Sequence, residues 1–174
     1  MAFTCNLTQG QLLSCSSIGG VEVAYIGEWD DTTLQFDSCG IITGITSGLT
    51  AYTFNMDAEH GGLTQTLNAS RENGTVFFDS ILTVKFIGFN CVRRKTLVEL
   101  SRAPLFAIVK SVAGDYYALG VGGAASGRAS AGTASIGTAY GDMNGTSIDL
   151  QFKSSNGAYL INSALVGTTI TIIP

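Results

Sequence analysis

Thr75-Val76-Phe77-Phe78-Asp79-Ser80-Ile81-Leu82-Thr83-Val84-Lys85-Phe86-Ile87 is the longest strand signal in the chain, thirteen residues dominated by β-branched and aromatic side chains. It starts directly after Asn73-Gly74, a pair that favours tight turns. Working outward, the same two-residue period returns in Val21 to Ile26 and, less cleanly, in Gly62 to Leu67. Leu105 to Lys110 and Asp115 to Leu119 read as two strands around a turn at Ser111 to Gly114. Ser147 to Phe152 places Ile148, Leu150 and Phe152 on one face, and Thr168 to Ile173 is almost wholly β-branched. Gly114-Asp115, Asn144-Gly145 and Asn156-Gly157 punctuate these runs as further turns.

One segment breaks the pattern. Cys91 to Arg102 has no Gly or Pro, clusters good helix formers and stops before Pro104. It predicts a short amphipathic helix in which Val92, Leu97 and Leu100 share a face with Thr96 between them. Many short strands and one helix predict an all-β fold, an antiparallel β-sandwich or barrel with one flanking short α-helix. No linker, repeat or composition break divides residues 1–174, so a single domain is expected. The Gly/Ala/Ser stretch from Gly120 to Gly137 reads either as a flexible loop or as short strands of small residues.

Only 13% of the 174 residues are charged, against about 25% in an average soluble protein, while 22 are Gly. A mean hydropathy of +0.31 excludes intrinsic disorder. No run approaches the roughly 18–20 apolar residues of a spanning helix, so no membrane partner is expected. Composition thus predicts a folded chain with a charge-poor surface, which a monomer normally avoids. The net charge of −4 and pI near 4.7 argue against direct nucleic-acid binding, and the one basic cluster, Arg93-Arg94-Lys95, reads as a solvated helix face. Cys5, Cys15, Cys39 and Cys91 form no C-x-x-C pair, and with one histidine they complete no zinc set. The opening residues Met1 to Asn6 lack the pattern of a secretory signal, so cytosolic synthesis with reduced thiols is expected and the sequons at Asn6, Asn68, Asn73 and Asn144 carry no meaning.

The candidate chemical motifs are weak on physical grounds. Gly120-Val121-Gly122-Gly123-Ala124-Ala125, with Asp142 about twenty residues on, matches a dinucleotide fingerprint. That chemistry needs a helix opening at the glycines, and Ser-Gly-Arg-Ala-Ser-Ala-Gly-Thr is a poor helix. His60-Gly61-Gly62 has no G-x-S-x-G partner, since Ser47 and Ser126 lie in G-x-x-S-G. Any nucleophilic mechanism would have to run through His60, and neither Asp30-Asp31 nor Asp57/Glu59 has the spacing of a calcium loop. The expectation is a protein without catalytic residues, cofactor or metal.

Several blocks resemble one family. Cys5 to Gly10 with Leu13 to Ile26, then Asn68 to Asp79, Leu105 to Lys110, Asp115 to Gly120 and Gly137 to Gly145, are similar to structural proteins of tailed phages that infect Bacteroidetes bacteria, of the tail-tube kind. The plain stretch 120–137 departs from the family pattern. The resemblance implies a β-barrel or sandwich with a flanking helix, copies stacked as hexameric rings, and a virion protein made in the host cytoplasm. It implies partners of three kinds: other copies, further tail or neck proteins, and genomic DNA in transit past acidic lumen walls. Charge-poor surface then becomes surface that neighbours cover. Thr168, Ile170 and Ile172 are candidates for strand pairing between subunits, a core strand being the alternative. Two further readings stand beside the tube: a head–tail joining or head-decoration protein, and a secreted β-sandwich module using Tyr116, Tyr117 or Trp29 on glycans.

Overall fold

The computed structural model describes residues 19–30, 32–46, 48–56, 60–70, 72–88, 90–121, 127–139, 142 and 144–174. In chain order it forms β1 (Val21–Glu28), β2 (Leu34–Phe36), β3 (Ile42–Ile45), β4 (Leu49–Asn55), β5 (Gly61–Ser70) and β6 (Thr75–Ile87). Then come α1 (Cys91–Arg102), β7 (Leu105–Ser111), β8 (Tyr116–Leu119), β9 (Arg128–Ser135), β10 (Gly145–Ser154), β11 (Tyr159–Leu160), a 3-10 turn at Ser163–Leu165 and β12 (Ile170–Ile173). The protein is mainly β, with one short α-helix among the described residues.

The long strand signal is β6, and it lies between β5 and β10 in a four-stranded antiparallel sheet of order β5-β6-β10-β9. Alternation sets its two faces. Ser80, Leu82 and Val84 are buried, while Asp79, Thr83 and Lys85 occupy the opposite face. On that face Thr83 Oγ1 donates to Asp149 Oδ1 at 2.7 Å and Gln151 Nε2 to Asp79 Oδ2 at 2.7 Å. Gly74, at φ 63°, takes the left-handed turn into β6 that a side chain would resist.

A second sheet has the order β11-β8-β7-β1-β4-β12. One core joins the two sheets: Ala24 and Ile26 of β1 and Ala107 and Val109 of β7 meet Leu82 and Val84 of β6 and Ile148, Leu150 and Phe152 of β10. A second core on the far face of the six-stranded sheet collects Phe106, Ile108, Ala118 and Ile170 under Ile42 of the small β2–β3 sheet. No strand pairing among the described residues closes either large sheet on itself, and the two are linked by one isolated antiparallel bridge, Leu105 at the start of β7 with Gly127 just before β9.

The sheets are antiparallel with one departure: β12 pairs with β4 in parallel, Ile170 opposite Leu49. The chain leaves β11 at one edge and crosses the sheet face, bridging Ile42 at Ile161. It then enters the other edge in the same direction. The strand is also shorter than the β-branched run suggests. Thr168 and Thr169 lie in a turn, both amides donating to Leu165 O, and Gly167 at φ 90° allows it.

Helix α1 has the expected bounds. The Asn90 side chain accepts from Arg93 N at 2.8 Å, and Pro104 follows its end. Its buried face corrects the sequence reading. Leu100 is buried and Leu97 packs on the first core, but Val92 is 67% exposed. At about 100° per residue, Val92 lies about 110° from the midpoint of Leu97 and Leu100. Of the two readings of 120–137, strand holds for β9, built of small residues.

Candidate assembly surface

His60 lies at the entrance to β5, and no group of three His, Cys, Asp or Glu able to hold a metal occurs among the described residues. Gly120 follows β8 at φ 70°, and a Cβ there would stand 2.7 Å from both Leu105 O and the Phe152 ring. Its part is close packing between the sheets. Residues 122–125 of the fingerprint lie outside the described residues, and the chain resumes in a strand rather than a helix. Cys5, Cys15, Asn6, Asp31, Ser47, Asp57, Glu59 and Ser126 also lie outside them. Cys39 and Cys91 are free and exposed. No helix among the described residues is long and apolar enough to cross a membrane.

The three aromatic candidates for glycan contact, Trp29, Tyr116 and Tyr117, are each half-buried. Trp29 packs edge-on to Phe106 at 6.1 Å, and Tyr116 packs against the second core. Burial also pushes the Tyr25 hydroxyl above the usual tyrosine range. Beside it, Lys110 Nζ lies 2.7 Å from Glu22 Oε2, and that contact holds the lysine above its ordinary value.

The fold leaves strand edge open. In the four-stranded sheet, β5 has no partner on its outer side among the described residues. It is ten residues long, without a charge or proline, and Thr64 to Leu67 are exposed. Natural edge strands are commonly guarded by lysine, proline, bulges or brevity. At the other edge β9 is bulged opposite Asp149/Leu150 and borders a groove of about 340 Å³ shared with Leu97 and Ser101 of α1. Of the terminal-strand candidates, Ile170 is fully buried in the second core and Thr168 sits in the exposed turn. Ile172 belongs to β12, whose outer edge has no strand partner among the described residues.

Sequence reasoning misses two features. The uncharged edge at Gly61–Ser70 is legible as a run without Lys, Glu or Pro, but its place at the rim of a sheet is not. The second is the loop after β9. Asp142 Oδ2 accepts from Thr138 N at 2.8 Å, Ala139 N at 2.8 Å and Thr138 Oγ1 at 3.0 Å. These donors hold its carboxyl below the usual range and fix a loop on which Ile136 is 80% exposed.

Comparison with protein families, with curated proteins and with solved structures gives no match to this chain.

Proposed function

We propose that this chain is a non-enzymatic virion protein whose copies join side by side into rings, as a tail tube or a ring of the tail or neck through which DNA passes. In this reading the two large sheets form a β-sandwich flanked by α1, and the rings are hexameric. The observation that carries the reading is the edge of β5: a ten-residue strand paired with β6 on one side, with no strand partner on the other among the described residues and no charge to deter a neighbour. A neighbouring strand would satisfy those amides and carbonyls and cover a surface with too little charge for a solitary protein.

The experiment is negative-stain microscopy with sedimentation velocity on purified protein over a range of concentrations. Rings of uniform diameter are expected, and Thr64→Lys with Thr66→Lys on β5 should leave a folded monomer. A chain that stays monomeric at every concentration overturns the reading.

A further inference from the structure

The start of α1 gathers three of the nine basic residues of the chain. Arg93, Arg94 and Lys95 are consecutive and exposed in a chain of net charge −4, and Lys95 Nζ lies 3.8 Å from Glu99 Oε1 one turn on. The Arg93 guanidinium donates to Gly88 O at 3.1 Å, fixing this turn to the end of β6. Exposed aliphatic groups lie around it. Val92 is 67% exposed, Ile87 56% and Ile136 80%. Ile87, Gly145 and Ser135 form one cross-strand row, and Ile136 follows Ser135 on the loop fixed by Asp142.

Beyond the far end of the helix, whose last turn carries the exposed Arg102, lies an acidic segment. Glu28 and Asp30 are both exposed and flank Trp29. Trp29 N donates to Pro104 O at 2.9 Å, which fastens this segment just beyond the last turn of α1. Twelve residues of helix separate the two ends by about 18 Å. Each copy therefore carries a basic turn and an acidic segment in different places. Complementary patches at distinct positions fit a heterologous, head-to-tail contact, which generates rings or stacks.

We infer that the Arg93-Arg94-Lys95 turn, with Ile87, Val92 and Ile136, docks on the Glu28–Asp30 segment of a second copy of this chain. The inference rests on the ring reading and names a contact within it. Charges at such a contact set register and exclude wrong pairings.

The test uses two charge-reversed variants of the full chain. Arg94→Glu with Lys95→Glu spares the Arg93 contact to Gly88 but breaks the exposed Lys95–Glu99 pair within the helix, and Glu28→Lys with Asp30→Lys reverses the acidic segment. Circular dichroism first establishes that both fold. In sedimentation velocity each variant alone should associate at least about tenfold more weakly than the wild type. An equimolar mixture should regain association, because every junction between unlike variants again joins opposite charges. If the wild type forms rings and the separate variants do so equally well, or the mixture fails to recover, the docking inference is overturned while the ring reading stands. If the wild type never associates, both fall. If reversal leaves assembly intact but removes retention of duplex DNA, the basic turn serves nucleic acid and the inference is likewise overturned.

Discussion

Phe152 joins the two sheets, and its surroundings allow a quantitative test. The ring is 2% exposed, and a Cβ at Gly127 would stand 2.1 Å from its Cε1. Gly120 crowds the same ring but also holds φ 70°, which mixes backbone strain with packing. Gly127 lies outside the left-handed region and isolates packing alone. Adding a methyl there forces the ring to move, so Gly127→Ala should cost about 1–3 kcal/mol. Phe152→Ala removes the ring and should cost about 3–5 kcal/mol through lost burial and the remaining cavity. The two share one volume. In the Phe152→Ala background the new methyl enters vacated space, and its cost should fall to about zero or change sign, a coupling of about 1–3 kcal/mol. Urea unfolding followed by Trp29 fluorescence measures all four proteins, at one low chain concentration because association adds its own stabilisation. Costs that add to within about 0.5 kcal/mol would refute this packing.

A Cβ at Gly145 would stand 2.1 Å from Phe86 O, a backbone atom held in the β6–β10 ladder. Gly145→Ala should therefore lower Tm by several degrees in differential scanning calorimetry, and an unchanged Tm would contradict the register. Leu100→Ala should cost about 2–5 kcal/mol and Val92→Ala less than about 0.5 kcal/mol in urea unfolding, although hydrophobic spacing assigns both to one face. The Asp142 carboxyl has its folded pKa lowered, so its hold on the loop is present above the ordinary carboxylate range and lost as pH falls through the lowered value. Protection of the Thr138 and Ala139 amides, taken relative to the intrinsic exchange rate at each pH, should thus fall in acid, and Asp142→Ala should lack that protection at neutral pH as well.

The strands that sequence reveals best are those with both neighbours in place. In β6 and β10 one face is buried, so Leu82, Val84, Ile148, Leu150 and Phe152 must alternate with polar residues, and the period shows. The helix is legible because Asn90 caps it and Pro104 follows it, both local effects. Legibility fails where structure depends on distant partners. Nothing within Thr168 to Ile173 specifies a parallel mate 121 residues upstream, or that only its last four residues join it. β9 is equally opaque, since Ala, Ser and Gly bury little and show no period; its strand is imposed by β10. The assembly surface is half visible. Composition announces missing charge, but only topology places that lack at the rim of β5.

The parallel entry of β12 has a consequence of strand direction. In the six-stranded sheet it leaves both outermost strands, β11 and β12, pointing the same way, so a copy joined at those rims would meet its neighbour in a parallel pair. The four-stranded sheet alternates throughout, and β5 and β9 point in opposite directions. A copy added there continues the alternation without a fault, and any closed circuit contains a multiple of four strands. Antiparallel pairing is the slightly more stable of the two per residue. The smaller sheet is thus the one whose polarity lets copies be added indefinitely without a change in pairing type.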